Sequence, residues 1–317
     1  MKASRYIKRR QDRAPTTQGS RPVLSTLLRG RSIHFFRAIQ LNLNLRSSTK
    51  ELAVESIFQK TAPMLVKNKS AVITGAARGV GRATALALAK LGCNVAINYR
   101  SSQERAENTV REIEALGVNA FSIQGDVRDD EACRHLMKEA HTQFGSLDIL
   151  VNNAGTTQFI PHNDLEKVQT EHWEDIFSTN VRAIFQCCRA ARPFLEKSGE
   201  GEIVNLGSIA GLRGIGSSIP YAASKAAVHM LTVSLARVFG PTTRINSIAP
   251  GFIAGDWLTE GLGDAYEDVL KANAEKAILG KVSQPEDVAE AIVSIITGSD
   301  LVTGQVLVCD GGALLAD

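Results

Sequence analysis

The sequence has few aromatic residues and no long apolar segment. Phe, Trp and Tyr make up 5% of its 317 residues. No run reaches the roughly 18 to 20 apolar residues that a membrane-spanning helix needs. With 44% hydrophobic and 22% charged residues, the composition is that of an ordinary globular chain. These features exclude a disordered or collagen-like chain, and they predict a protein that makes no membrane contact.

The sequence also lacks the cysteine and histidine patterns of metal sites and disulfide frameworks. Its five cysteines are odd in number and stand among apolar residues. The six histidines form no HExxH motif and no pairing with CxxC. We therefore predict buried free thiols in a reducing compartment and no protein-bound metal.

Acidic residues are nearly absent from the first 50 positions. This stretch holds 12 Lys and Arg residues and one acid, Asp12, whereas the whole chain has a net charge of only +3. The remaining residues are therefore acidic on balance, which gives no electrostatic basis for binding nucleic acid. An Arg-rich, Ser-containing and weakly amphipathic segment of this kind is typical of an organelle transit peptide.

Two interpretations of this basic N-terminal extension, residues 1–66, remain open. It is either a transit peptide to a mitochondrion or plastid, or an over-extended start upstream of a true start at Met64. The second interpretation, like a bacterial source, predicts a cytoplasmic protein. In both cases we predict a poorly ordered extension followed by a catalytic domain over residues 67–317.

Short apolar runs alternate with helical stretches after the extension. Such runs predict parallel strands that are covered on both faces. We therefore predict an α/β fold with a single Rossmann-type doubly wound parallel sheet of about seven strands and helices on both faces. The predicted strands are 70–74, 94–99, 120–124, 147–151, 202–206, 244–248 and 305–308. The predicted helices are 82–91, 103–116, one ending near 144, 171–196, 220–239 and 285–297.

A glycine-rich turn, TGAARGVG over residues 74–81, follows the first predicted strand and leads directly into a helix. Glycine lets the backbone approach a pyrophosphate, whose charge meets the free N–H groups of the helix N-terminus. The strand–turn–helix context favours dinucleotide binding over a purely structural turn. The residues predicted to contact the cofactor here are Thr74, Gly75, Arg78, Gly79, Val80 and Gly81.

The end of the second predicted strand indicates which dinucleotide is bound. An acid at this place would accept the ribose 2′-OH of NAD, but the sequence after Asn98 reads Tyr-Arg-Ser-Ser. Arg100 and Arg78 could instead converge on a 2′-phosphate through charge-assisted hydrogen bonds. We therefore predict NADP(H), with NAD(H) as the alternative.

Six motifs in this order make the chain resemble the short-chain dehydrogenase/reductase family over nearly all of residues 67–312. Its overall look is similar to that of the β-ketoacyl-carrier-protein reductases. The motifs are the glycine turn of residues 74–81, Asp126-Val127, the NNAG run of residues 152–155, Asn180, Ser208 with Tyr221-x-x-x-Lys225, and Pro250-Gly251. The resemblance implies that Asn180, Ser208, Tyr221 and Lys225 are catalytic. It adds to the cofactor-binding set Asp126, Val127, Asn153, Ala154, Gly155, Tyr221, Lys225, Pro250, Gly251 and Ile253.

The spacing of Tyr221 and Lys225 has a chemical rationale of its own. Residues four apart share one face of a helix. A nearby ammonium, together with the positive charge of oxidised nicotinamide, would bring the pKa of the Tyr221 phenol down from about 10 towards the working range. Tyr221 would then exchange a proton with a substrate oxygen, and Ser208 would hydrogen-bond the same oxygen. By resemblance, Asn180 holds a water in a proton relay from Lys225.

Two positions depart from the pattern of the family. Gly207 stands where many relatives have a second serine, and we expect this to matter little. Ala254 stands where many relatives have a threonine that binds the nicotinamide carboxamide, which leaves that contact to backbone groups. Residues 256–277, the lid segment, are predicted to be a mobile cover over a partly apolar substrate pocket.

The predicted function is reduction of a ketone or aldehyde by NADPH, with a 3-oxoacyl thioester as one possible substrate. An NAD-dependent alcohol or sugar dehydrogenase is the alternative, and a non-catalytic dinucleotide-binding protein is a third. The only predicted partners are a small-molecule carbonyl or alcohol substrate and further copies of the chain. A homodimer or homotetramer would form through helices 171–196 and 220–239 and the last strand.

Overall fold

The structure, a computed structural model, describes residues 64–316 and contains one parallel sheet of seven strands. The strand order is β3-β2-β1-β4-β5-β6-β7, and every neighbouring pair is parallel. The order reverses between β1 and β4, so a crevice opens at their carboxyl ends, where ligands bind in sheets of this kind. The strands are β1 (Ser70–Ile73), β2 (Asn94–Tyr99), β3 (Ala120–Gln124), β4 (Ile149–Asn152), β5 (Gly201–Leu206), β6 (Thr243–Pro250) and β7 (Val306–Cys309).

Helices connect the strands, so the predicted doubly wound sheet is confirmed. The helices are α1 (Gly79–Lys90), α2 (Gln103–Glu114), α3 (Asp130–Phe144), α4 (Thr170–Phe177), α5 (Ala183–Ser198), α6 (Ala210–Arg213), α7 (Ile219–Phe239), α8 (Asp256–Leu262), α9 (Tyr266–Lys276) and α10 (Pro285–Thr297). The single helix predicted over 171–196 is instead α4 and α5, joined by a π-helical turn at Ser178–Arg182. The lid segment consists mainly of α8 and α9.

The two faces of the sheet support two separate cores. Successive residues of a strand point to opposite faces. Ala71 and Ile73 of β1 accordingly pack into one apolar cluster with α1, α2 and α10, whereas Val72 packs into another with α3, α5 and α7. Burial on both faces explains why the strands are short continuous apolar runs rather than alternating ones.

The predicted N-terminal extension lies outside the described residues except for its last three. Of these, Met64 and Val66 are buried in the first cluster, so the packed core begins before the predicted boundary at residue 67. Within residues 64–316, no helix combines the length and apolar character that crossing a membrane requires.

The five cysteines are free thiols, as predicted, and four of them are buried. Cys133 and Cys187 lie closest together, with their sulfur atoms 3.5 Å apart. Burial raises the pKa of the Cys188 thiol to about 12. Because the thiolate is the reactive form, Cys188 is a packing group and a poor nucleophile.

Candidate active site

The glycine turn forms the floor of the crevice at the end of β1. Gly75 and Gly79 have φ angles of 63° and 58°, a region that glycine adopts without strain. A Cβ on Gly79 would meet no atom within 4 Å, so this glycine faces open space. Arg78, the residue before α1, makes no side-chain cap of the helix. The first N–H groups of α1 are therefore left for another acceptor, and an anion such as pyrophosphate fits this position.

Asn153 holds the glycine turn in place. Its side-chain Nδ2 donates to the carbonyl oxygens of Thr74 and Gly75, at 2.9 and 3.0 Å. In return, the Thr74 hydroxyl accepts the backbone N–H groups of Asn153 and Ala154. A Cβ on Gly81 would lie only 2.5 Å from Asn153 Nδ2. The predicted NNAG and glycine motifs therefore form one hydrogen-bonded unit that needs glycine at position 81.

Asn98, near the end of β2, is a second support of this turn that the sequence analysis missed. Its carbonyl accepts the Ala76 N–H at 3.0 Å, and its side-chain oxygen accepts the Gly75 N–H at 3.4 Å. Its Nδ2 donates to the Gly125 carbonyl at 2.9 Å. A buried asparagine inside an apolar strand was the available signal, because such a polar group needs partners.

The two arginines predicted to bind a 2′-phosphate have different surroundings. Arg78 Nη1 pairs with both carboxylate oxygens of Glu260 in α8, at 2.8 and 3.0 Å. Arg100 is exposed at the end of β2 and lies near enough to Asp126 to help lower the pKa of that carboxyl. The Glu260 contact joins residues 182 apart, and no local pattern in the sequence predicts it.

Asp126 and Val127 follow β3 at the same edge of the sheet. Val127 is buried, and the Asp126 carboxylate accepts hydrogen bonds from the backbone and guanidinium of Arg128. These bonds hold the pKa of Asp126 below its usual value. Arg128 also pairs with Asp175 of α4 at 2.8 Å. Arg128, which the sequence analysis passed over, thus fixes the loop predicted to contact adenine.

Helix α7 carries the predicted tyrosine and lysine. It begins after Ser218, whose hydroxyl accepts the Tyr221 N–H at 3.3 Å, and Pro220 occupies its first turn, where a missing N–H costs nothing. Tyr221 and Lys225 share one face, as predicted. The Lys225 Nζ lies 5.6 Å from the centre of the Tyr221 ring and donates to the Leu206 carbonyl at 2.7 Å.

The pKa of Tyr221 differs from the expected one. Burial raises it to about 12, and a side-chain hydrogen bond with Ser208 opposes the rise only in part. Lys225 does not offset the burial, because its ammonium is directed at the Leu206 carbonyl and lies over the ring. Burial also lowers the pKa of Lys225 to about 8. The expectation that the ammonium would lower the Tyr221 pKa is therefore wrong for the protein alone.

Asn180 lies in the π-helical turn between α4 and α5 and is fully buried. Its Oδ1 accepts the Thr156 N–H at 2.8 Å. Its Nδ2 donates to the Thr156 carbonyl and to the Ser224 hydroxyl, both at 3.0 Å. A Cβ on Gly155 would lie 3.4 Å from Asn180 Oδ1 and 3.9 Å from Lys225 Nζ. Asn180 therefore ties the loop after β4 to α7 beside Lys225.

Pro250 is the last residue of β6, and Gly251 follows it. Both lie next to the serine loop, residues 207–209. The Ile209 N–H, one residue after Ser208, donates to the Pro250 carbonyl at 3.0 Å. A Cβ on Gly251 would lie 2.8 Å from Asp310 Cβ, so this close approach needs glycine. Ile253 forms an isolated bridge with Ser283. The bridge bonds use the Phe252 carbonyl and the Ala254 N–H, so they leave the polar groups of Ile253 itself free for another partner.

The lid segment borders the catalytic side chains. The ring of Trp257 in α8 lies 6.5 Å, centre to centre, from the Tyr221 ring. A Cβ on Gly261 would overlap the Phe159 ring, so α8 packs directly on that ring. Trp257 therefore lies beside Tyr221, and Phe159 packs against the helix that carries Trp257. The mobility predicted for this segment stays a prediction.

Known proteins resemble this chain over the whole described body. The family model described as enoyl-(acyl carrier protein) reductase matches residues 75–313. A 3-oxoacyl-acyl-carrier-protein reductase of Staphylococcus aureus is 40% identical over 247 residues, 77% of this chain and 97% of its own. A ketoacyl reductase assigned to the granaticin polyketide synthase of Streptomyces violaceoruber is 39% identical over 245 residues, 77% of this chain and 96% of its own.

The comparison with solved structures agrees. A chain assigned to the short-chain dehydrogenases/reductases of Burkholderia xenovorans has a TM-score of 0.73 and 36% identity, covering 78% of this chain and 98% of its own. The predicted family resemblance is confirmed, and with it the expectation of an NAD(P)-dependent oxidoreductase acting on carbonyl or alcohol groups. An NADP(H) cofactor is consistent with this assignment. The chain belongs to the short-chain dehydrogenase/reductase family.

Proposed function

We propose that the protein is an NADPH-dependent carbonyl reductase that acts on 3-oxoacyl thioesters and uses Ser208, Tyr221, Lys225 and Asn180. The observation that carries the proposal is that two polar side chains, those of Ser208 and Lys225, contact the phenol of Tyr221. Ser208 hydrogen-bonds Tyr221 from the end of β5, and the Lys225 ammonium lies over the same ring. The similarity to a 3-oxoacyl-acyl-carrier-protein reductase of Staphylococcus aureus and to a ketoacyl reductase of Streptomyces violaceoruber supports a ketoacyl substrate.

The glycine turn fits a dinucleotide. Free N–H groups at the start of α1 and the open space beside Gly79 suit a pyrophosphate, and the missing acid at the end of β2 favours a 2′-phosphate over a 2′-OH. Arg78 and Arg100 are the candidate partners of that phosphate. When bound, NADPH supplies the hydride. The polar backbone groups of Ile253 replace the missing threonine as partners of the carboxamide.

Tyr221 gives a proton to the carbonyl oxygen as hydride reaches the carbon. With its pKa raised to about 12, the phenol is protonated at neutral pH, and it gives up the proton only as charge develops on the substrate oxygen. The Ser208 hydroxyl hydrogen-bonds the same oxygen while negative charge develops on it. The Lys225 ammonium stabilises the phenolate that is left behind.

Asn180 contributes by shaping the route along which Tyr221 is reprotonated. Its amide hydrogen-bonds Thr156 and Ser224, so its side chain fixes the turn beside Lys225. A π-helical turn interrupts the regular backbone hydrogen bonds, which is a frequent feature of functional sites. We assign the water of the predicted relay to a backbone carbonyl of this turn.

Turnover of a carbonyl panel tests the proposal. NADPH oxidation is followed with 3-oxoacyl thioesters, ketones and aldehydes, and each is repeated with Tyr221→Phe, which removes only the hydroxyl. We expect the 3-oxoacyl thioester to be the best substrate and Tyr221→Phe to lower kcat by about 100-fold or more. Equal activity of wild type and Tyr221→Phe, or no reduction of any carbonyl, would contradict the proposal.

We also propose that the protein self-associates through α5 and α7. Phe185 on α5 and Met230 and Val238 on α7 are exposed apolar side chains, and Met230 is 65% exposed. Such surface favours association, which in identical chains is usually symmetric. Sedimentation at micromolar concentration should give a dimer or tetramer, and Met230→Glu should shift it towards monomer. A wild-type monomer would refute this part.

A further inference from the structure

We propose that His229 is a positioning residue that aims the Ser208 hydroxyl, by accepting a hydrogen bond from the Ser208 backbone and filling the space left by Gly207. The inference rests on the proposed function, because it concerns the hydroxyl that shares a substrate oxygen with Tyr221. None of the motifs in the sequence includes His229. It enters the site only through the fold.

The geometry couples His229 to the serine loop at two points. Its Nε2 lies 3.4 Å from the backbone nitrogen of Ser208 and accepts that N–H. A Cβ on Gly207 would lie 2.4 Å from the same Nε2 and 2.8 Å from His229 Cδ2. The imidazole therefore occupies the volume that a side chain at position 207 would need. Gly207 and His229 are complementary in size. The glycine that stands at 207 in place of the serine of many relatives is therefore matched by the imidazole of His229.

His229 lies on the same face of α7 as Tyr221 and Lys225. Tyr221, Lys225 and His229 follow one another at intervals of four residues, so they line one side of the helix. His229 is 8% exposed, and burial and the nearby Lys225 lower the pKa of its imidazole to about 4. The ring is thus neutral at physiological pH, with an unprotonated nitrogen that can act as acceptor.

The tautomer follows from the contact. In neutral imidazole one nitrogen carries the hydrogen and the other accepts. Because Nε2 accepts from Ser208, the hydrogen is on Nδ1, which is buried and has no partner among the described residues. A buried donor without a partner is unfavourable for stability. The position of the imidazole is therefore better explained by the hydrogen bond that Nε2 accepts from the serine loop than by the packing of the ring.

The serine loop needs such a support. Beyond β5 the chain turns sharply, and the Ser208 hydroxyl accepts the Ala210 N–H at 3.1 Å while bonding to Tyr221. Bonds to the backbone of residues 207–209 therefore set where the hydroxyl lies. The Pro250 carbonyl holds the Ile209 N–H on one side, and His229 holds the Ser208 N–H on the other.

A matched pair of substitutions tests the contact. His229→Gln can keep an acceptor near the Nε2 position, whereas His229→Met has a similar length and no acceptor. We expect His229→Gln to keep most of the wild-type kcat and His229→Met to lose about 5- to 10-fold, the effect of one neutral hydrogen bond. The KM for NADPH should stay unchanged in both. Equal kcat in the two variants would overturn the proposal.

The Ser208→Ala background separates positioning from general stability. The alanine variant keeps the backbone N–H but lacks the hydroxyl that His229 is proposed to aim. We expect His229→Met to cause no further loss of kcat there, although it should lower the melting temperature as much as in the wild type. The same 5- to 10-fold loss in both backgrounds would assign His229 a merely structural role.

The tautomer can be measured without any turnover. In protein labelled with nitrogen-15 in its histidines, the signal missing from His229→Gln identifies His229. At pH 7 we expect a protonated Nδ1 and an unprotonated Nε2. A protonated Nε2 would overturn the inference even if carbonyls are reduced. If no carbonyl is reduced, the proposed function fails, while the spectrum still decides whether Ser208 is bound.

Discussion

Replacing Glu260 by glutamine tests how the protein selects its cofactor. In the structure, Arg78 is bound by both carboxylate oxygens of Glu260, at 2.8 and 3.0 Å. If Arg78 is to bind the 2′-phosphate of NADPH, the phosphate must compete with this carboxylate. Glu260→Gln removes the negative charge and keeps the shape of the side chain. We therefore expect it to strengthen NADPH binding and to leave NADH binding nearly unchanged.

The size of the effect follows from exposure. Arg78 and Glu260 are 39% and 57% exposed, so water and salt screen the pair strongly. Exposed ion pairs of this kind are weak, and the bidentate geometry of this one favours the upper end of their range. The dissociation constant of NADPH should fall by about 2- to 5-fold at low salt. The gain should shrink as ionic strength rises.

Fluorescence titration with NADPH and NADH measures both constants. Glu267→Gln is the matched control, because it removes the same charge from an exposed position on α9. Arg78→Met should weaken NADPH binding and leave NADH binding alone. Weaker binding of both cofactors by Glu260→Gln would refute the competition and would mean that the ion pair holds α8 over the bound dinucleotide.

Four further outcomes follow from contacts in the structure. Gly79→Ala should weaken NADPH binding about 10-fold, because its methyl enters the open space proposed for the pyrophosphate, and the positive φ should lower the melting temperature by several degrees, a cost of about 1–2 kcal/mol. Gly81→Ala should lower the melting temperature further, since its methyl meets backbone atoms; equal melting temperatures of the two variants would contradict this. The kcat/KM for reduction should fall above about pH 8, because the buried Lys225 there loses the proton that stabilises the phenolate. A flat profile from pH 7 to 10 would exclude a role of the Lys225 charge in catalysis. Arg244→Met should cost about 3–5 kcal/mol in urea unfolding, because it leaves the buried Glu202 unpaired and removes the donor to the Val302 and Ile295 carbonyls. Adding Glu202→Leu should restore only the part of the loss that is due to the unpaired carboxylate.

The sequence predicted the fold and the order of the site motifs because both depend on local patterns. Continuous apolar runs between helices are enough to indicate a covered parallel sheet. Thr74, Gly75 and Gly81 could be recognised because a strand, a tight turn and a helix follow one another along the chain. Tyr221 and Lys225 are brought together by helical spacing alone, so their shared face was predictable without any tertiary contact.

The supporting residues could not be predicted in this way. Asn98 holds the glycine turn from a neighbouring strand, and Arg128 binds both its near neighbour Asp126 and the distant Asp175. Glu260 reaches Arg78 across 182 residues of sequence. Each of these contacts depends on how separate elements pack, and a single sequence contains no periodicity that reports it. The break between α4 and α5 was missed because a π-helical turn preserves the helical pattern on both sides.

Burial explains why the pKa of Tyr221 differs from the expected one, and it favours the protonated form of the phenol. Proximity to an ammonium was expected to lower the phenol's pKa, but Lys225 brings no such lowering in the protein alone, and removal from water raises the pKa to about 12. The same removal from water lowers the pKa of Lys225 to about 8, so both groups resist their charged forms. At neutral pH Tyr221 is therefore a protonated phenol, which is the form that carbonyl reduction starts from, although burial makes it a weaker acid than free tyrosine. Alcohol oxidation needs the phenolate, and the positive charge of an oxidised nicotinamide would have to supply the stabilisation that the chain itself does not provide.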